Sequence, residues 1–162
     1  MIEMEVDASA LKALGAALGA EADGKKLRRD LAKEMRGALQ PAAAAAKSSI
    51  MSMASSGLYS TGTPLRATIA RGVKAEARLT GRSTGARVKA TKKGMPREFA
   101  NAPKRTNSAK GWRRRVFRSD TWVAQMGRPD WFDQPMEQSA PEARAAVVRA
   151  MGAAARRITR RV

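Results

Sequence analysis

Apolar residues recur at two different periods along this 162-residue chain, and each change of period marks a new element. Ile2, Met4 and Val6 alternate with Glu3, Glu5 and Asp7, which predicts a short strand with one polar face. Asp7 or Ser9 can then cap a helix through about residue 20, with Leu11, Leu14 and Leu18 on one stripe. Gly15 and Gly19 weaken that helix, and Gly24 is a natural break. A second helix is predicted from near Asp23, because Leu27, Leu31, Met35 and Leu39 fall four apart. Its other faces carry Lys25, Lys26, Arg28, Arg29, Lys33 and Arg36. Pro41 lacks an amide hydrogen and is expected to kink or restart the helix. The alanines from Ala42 then continue it to about Met53, with a small-residue surface suited to close packing.

Residues 55–64 form a loop by composition, and Leu65 to Ala70 allow one further helical turn. Val73, Ala75, Ala77 and Leu79 alternate with Lys74, Glu76 and Arg78; after the turn Gly81–Gly85, Ala86, Val88 and Ala90 alternate with Arg87 and Lys89. That is a β-hairpin with one basic face. Residues 91–111 offer almost nothing to bury and predict a long, flexible, basic loop. Two short strands follow, Trp112 to Phe117 and Thr121 to Met126, around a turn at Arg118–Asp120. From about Gln134 the chain turns helical, with Pro135 or Pro141 in the first turn and Val147, Val148, Met151, Ala155 and Ile158 on its apolar face. The whole predicts a single α+β domain over 1–162. It has a small antiparallel sheet packed by the N-terminal helices and a C-terminal helix.

Composition changes that picture in one respect. The apolar fraction of 43% is largely alanine, with only three Phe, three Trp and one Tyr. Alanine favours helix but buries little area, so the core is expected to be thin and to lean on neighbouring subunits. The chain has no cysteine and no histidine. Thiol nucleophiles, disulfides, the usual zinc ligands and the commonest general base are therefore absent. The carboxylates fall mostly on helix faces and caps, and Gly81–Gly85 lacks the Gly-Lys-Ser/Thr ending of a phosphate loop. Tyr59 and Ser60 have no partner base nearby in sequence. The expectation is a non-enzyme with no catalytic, cofactor or metal site. No apolar run approaches the roughly 18–20 residues of a membrane helix. The acidic start also differs from the basic start of a signal peptide.

Charge points to the partners. The net charge is +18, and residues 64–118 hold seventeen Lys and Arg against two carboxylates. Such a field attracts nucleic acid or an acidic protein surface. Lys92, Lys93, Arg97, Lys104, Arg105, Lys110, Arg113, Arg114 and Arg115 are the candidate contacts to phosphates or to an acidic partner. A solvated loop whose charge aids solubility would look the same, and no helix-turn-helix, zinc-finger or RNA-binding aromatic motif is present. The segment Gly111 to Pro135 gathers all three tryptophans and two of the three phenylalanines. Trp112, Phe117, Trp122, Trp131 and Phe132 are either local core, the reading favoured for Trp122 and Phe132, or anchors of an interface or of the hairpin.

The same segment reads Trp112-Arg113, Val116-Phe117, Trp122-Val123-Ala124-Gln125, Gly127-Arg128-Pro129 and Trp131-Phe132, ahead of an Ala/Arg-rich final helix. In that order it resembles the small head–tail joining, or tail-completion, proteins of long-tailed bacteriophages. The specific motif covers about twenty-five residues, and the N-terminal strand and helices with a basic hairpin match the family's general layout. Where family members carry His-Pro and Gly, this chain has Arg114-Arg115 and Arg118. The resemblance implies an α+β virion protein without catalytic residues or cofactor, assembled in the host cytoplasm. It would form a ring with itself, often six-membered, between the portal-side connector and the tail tube. Genome DNA would pass through the channel. A free, non-sequence-specific nucleic-acid-binding protein is the alternative.

Overall fold

Leucine and methionine at four-residue spacing, followed by alanine, make one long helix around which the other elements arrange themselves. The computed structural model describes residues 8–54, 64–82, 84–115 and 119–160. The expected strand at 2–6, nearly all of the 55–64 loop and the stretch 116–118, Phe117 included, lie outside the described residues. The element order is α1 (Ala8–Ala20), α2 (Gly24–Met51), α3 (Leu65–Gly72), β1 (Val73–Arg78), β2 (Gly85–Ala90), α4 (Ala102–Asn107), β3 (Trp112–Arg115), β4 (Trp122–Gln125) and α5 (Asp133–Thr159). A short 3-10 turn at Arg97–Phe99 precedes α4. This is an α+β fold, but its strands form two separate antiparallel hairpins, β1–β2 and β3–β4, and not one sheet.

α2 buries Leu31, Met35, Leu39, Ala42, Ala43, Ala46 and Ile50. It packs most extensively against α5 and then against β1, α3, α1 and β2. Pro41 does not restart it. Both Pro41 and Gly37, whose carbonyl loses its donor, lie on the exposed face, where water replaces the missing partner. Pro141 sits well inside α5 in the same way, exposed like Glu137 four residues before it. On α5 the buried positions are Pro135, Met136, Ala143, Val147 and Ala154. Met151 and Ile158 pack partly against the core, whereas Val148 and Ala155 turn outward, which corrects the expected apolar face.

Gly15 serves a purpose that propensity alone misses. A β-carbon there would collide with the backbone of Leu79, just past β1, so glycine lets α1 settle directly on the end of the hairpin. Arg28 from α2 crosses below and donates to the Gly15 carbonyl at 2.8 Å. The hairpin β1–β2 has the expected alternation, with Val73, Ala86 and Val88 buried and Ala75, Ala77 and Ala90 packed against the core.

Residues 91–111 are not a bare loop. Asn101 ahead of Ala102-Pro103 starts α4, which buries Ala102, Pro103 and Thr106. Its partner arrives from twenty-five residues downstream. The backbone turns at Asp130, in the left-handed region at φ 56°, and swings Trp131 into the core. The Trp131 Nε1–H donates to Thr106 Oγ1 at 3.0 Å, and the Thr106 hydroxyl donates to the Ala102 carbonyl at 2.8 Å. Asn107 completes the clasp: its Oδ1 accepts from the Phe132 backbone amide and its Nδ2 donates to Asp133 Oδ2, both at 2.8 Å. Trp131 and Phe132 meet edge to face with ring centroids 5.5 Å apart. Gly127 lies so close to the α4 backbone at Thr106 that a β-carbon would overlap it.

Trp131→Phe keeps most of the buried volume but removes the N–H that donates to Thr106 Oγ1 and the Pro103 carbonyl, at a cost of about 1–3 kcal/mol. Trp131→Ala is expected to cost about 3–5 kcal/mol in urea unfolding. A loss below about 0.5 kcal/mol for the alanine variant would show that the clasp does not hold α4.

Candidate functional site

The alternation of β3 and β4 sorts their side chains onto two faces. The register sets Trp112 opposite Gln125 and Arg114 opposite Val123, all partly buried. On the other face Arg115 stands opposite Trp122 and Arg113 opposite Ala124, all exposed. Trp122 keeps 54% of its surface in solvent, and Met126 just beyond the strand keeps 57%. The two strands contact each other extensively and every other element only sparsely. The hairpin is thus an arm, fixed at its base. There Gly127 rests on α4, and Arg128 hydrogen-bonds Ser52 at the end of α2.

Among the described residues of the arm, little compensates for that exposure. Arg115 pairs with Asp120, but both side chains are solvated and such pairs contribute about 0–1 kcal/mol. Isolated two-stranded hairpins are marginal in water. An uncovered face of Trp and Arg has the composition of a binding hot spot.

The five aromatic candidates therefore separate. Trp131 and Phe132 are core and hold α4, so they are not free anchors. Trp122, expected in the core, is on the arm's open face. Trp112 is half-buried at the arm's base, and Phe117 lies outside the described residues. Trp122 is exposed because its strand packs on little else, whereas Trp131 is buried because it follows a turn aimed at α4.

The basic candidates do not form one patch. Arg113 and Arg115 are exposed on the arm, and Arg114 points to its half-buried face. Lys93, Arg97, Arg105 and Lys110 are exposed along 93–110. Lys92 and Lys104 both line a cavity of about 360 Å3. Its lining includes Ala90, Ala100, Asn101, Pro103, Asn107, Trp131, Phe132 and Asp133. Sequence reading missed Asn101, Asn107 and Asp133. The Asn-Ala-Pro start of α4 was a usable signal for the first of these; the pairing of Asn107 with Asp133 spans twenty-six residues and left none. Among the described residues no group of three or more Asp or Glu is placed to hold a metal ion. No described helix is long and apolar enough to cross a membrane.

The outer face of β1–β2 is basic but organised around one carboxylate. Lys89 Nζ lies 2.7 Å from Glu76 Oε1, and Arg87 Nε lies 3.9 Å from Oε2. The Lys89 hydrogen bond holds the Glu76 carboxyl below its ordinary value of 4.5, helped by the charges of Lys89, Arg78 and Arg87 and opposed by burial.

No protein-family model, curated protein or solved structure matches this chain.

Two outcomes follow from this geometry. Because folding depresses its pKa, Glu76 contributes stability that is full above the ordinary carboxylate range and lost as pH falls through the folded-state value. Glu76→Gln is expected to lower stability by about 0.2–1 kcal/mol at pH 7, with the difference closing in acid. A pH-independent difference would contradict the ion-pair account. Trp122→Ala is expected to stay within about 0.5 kcal/mol of wild type in the same unfolding assay, unlike Trp131→Ala.

Proposed function

We propose that this chain is a structural subunit of the neck of a long-tailed bacteriophage, assembling as a ring, six-membered in the simplest form, that joins the DNA-filled head to the tail. In that role it acts as a tail-completion or tail-terminator protein between the portal-side connector and the tail tube. The observation that carries the reading is the arm. The motif that resembles the joining proteins folds into a hairpin whose Trp122, Arg113 and Arg115 face stays exposed among the described residues. A surface of that kind, on a body with an alanine-rich core, suits a subunit completed by its neighbours.

The charge distribution refines the role. Lys and Arg lining a DNA channel would hold the genome back during ejection, since each phosphate contact adds to affinity. Most of the basic residues between 92 and 115 therefore face acidic partner proteins or the outside of the ring, and only part of them line the channel.

A second reading, a free non-sequence-specific nucleic-acid-binding protein, draws on the seventeen basic residues of 64–118. It predicts salt-steep binding that is lost with the 92–115 basic residues and owes nothing to Trp122. The neck reading predicts instead that assembly fails without Trp122.

Disrupting the gene in its phage and imaging the lysate by electron microscopy separates the two. Under the neck reading, full heads lie beside unattached tails, and a Trp122→Ala copy fails to restore joining although it folds. Abnormal tail lengths would assign the terminator role. Intact infectious particles would sink the neck reading.

A further inference from the structure

The β1–β2 hairpin has an open edge and a charged face, and both call for the same kind of partner. The Thr91 amide donates to the Gly72 carbonyl at 2.9 Å, one step beyond the Val73–Ala90 pair. Backbone direction alternates along an antiparallel strand, so Lys74, Glu76 and Arg78 make the bonds to β2. Ala75 and Ala77 then turn their N–H and C=O groups away from β2, along the outer edge of β1. Among the described residues no other strand pairs with that edge. The side chains alternate too. Val73, Ala75, Ala77, Ala86 and Val88 lie against the core. On the outward face Lys74 and Arg78 of β1 and Arg87 and Lys89 of β2 surround the one carboxylate of Glu76. Four cations against one anion leave that face at +3.

A strand that fits must be apolar on one side and carry about three negative charges on the other. The segment ahead of α1, outside the described residues, has that pattern: Ile2, Met4 and Val6 alternate with Glu3, Glu5 and Asp7. It is also tethered close by. Leu79 follows Ala75 and Ala77 in the same alternation, and its carbonyl is what a β-carbon at Gly15 of α1 would strike. α1 therefore lies on the β1 side of the hairpin. From Gly15 back to Ala8, where α1 begins, is about 10 Å along the helix. The six residues 2–7 extend to about 20 Å, the length of β1. Other occupants fit less well. Two copies joined β1 to β1 would set two basic faces side by side, which like charges oppose. The same segment from a second copy would compete with a tethered one, whose effective concentration is on the order of millimolar.

We propose that residues 2–7 dock on the outer edge of β1 in their own chain as a third, acidic strand. Ile2, Met4 and Val6 continue the core side, and Glu3, Glu5 and Asp7 extend the outward face of Lys74, Arg78, Arg87 and Lys89, bringing its charge to zero. The docked strand closes an edge otherwise open to pairing with other chains. It also withdraws this hairpin from polyanion binding, so the charge available to partners is that of residues 92–115. The contact involves neither the arm nor its exposed face, and it holds whether or not the neck reading does.

Amide hydrogen exchange of the full chain, read residue by residue by NMR, tests it through the amides of Ala75 and Ala77. Both are expected to be protected about a hundredfold or more over an unstructured chain, equally in dilute and concentrated protein. Glu3→Lys with Glu5→Lys is expected to lower that protection about tenfold or more, with the amides of α2 unchanged as the check on folding. Lys74→Glu with Arg78→Glu is expected to do the same. All four substitutions together exchange the two charges and are expected to restore protection, which a general loss of stability would not do. Ala75 and Ala77 exchanging as freely as an unstructured chain, while Lys74 and Glu76 stay protected, would overturn the proposal. Protection that falls on dilution would also overturn it, by assigning the strand to a second copy. So would protection that ignores Glu3→Lys with Glu5→Lys, because some other segment would then cover the edge.

Discussion

Alanine is what both long helices of this protein bury over much of their length: Ala42, Ala43 and Ala46 on α2, Ala143 and Ala154 on α5. Each contributes little transfer free energy, since the hydrophobic gain scales with apolar area removed from water. The α2–α5 contact must therefore come from close approach over many residues, and it is the most extensive contact in the molecule. Large side chains are then needed where the helices give out. Leu11, Leu18 and Ile69 close the side of α1 and α3, and Trp131 closes the side of α4. Trp131 fills that space and also supplies a donor to the buried Thr106 hydroxyl, so packing and polar satisfaction fall on the same residue.

That division of labour leaves the β3–β4 arm without support from the body. Its base is held by Gly127 against α4 and by Arg128 on Ser52, but its outer face has no apolar cover among the described residues. In a chain this short of aromatic residues, an exposed Trp122 is a large apolar investment made outside the core. The proposed ring subunit accounts for it: the face is buried when a neighbour arrives, and the free energy of association replaces the missing core. The cavity at α4 belongs to the other half of the molecule, built by the clasp and not by the arm.

Much of the architecture was legible from periodicity. α1, α2, the β1–β2 hairpin with its turn, and α5 all follow from local pattern, because each buries one face of an uninterrupted amphipathic segment. What escaped was set by distant contacts. α4 is six residues long in a basic stretch; its Asn-Ala-Pro start marks where it begins, but the contacts that hold it come from Trp131 and from Asn107's downstream partners. Pro41 and Pro141 were read as breaks or starts, yet both sit on solvent-facing sides where a lost hydrogen bond is easily replaced. Val147 and Val148 are adjacent and chemically alike, so pattern could not say which one faces the core. The tryptophan roles were the hardest to assign, since composition names the anchors but only tertiary structure decides which of them is covered.

The central claim is a locked body carrying an uncovered arm, and amide hydrogen exchange on the isolated chain tests it most directly. The account predicts that amides of α2, α5 and α4 exchange only through global or near-global opening, while those of β3 and β4 exchange through a much cheaper local opening. Protection of the arm equal to that of α2, or early exchange in α4 despite the Trp131 clasp, would contradict it.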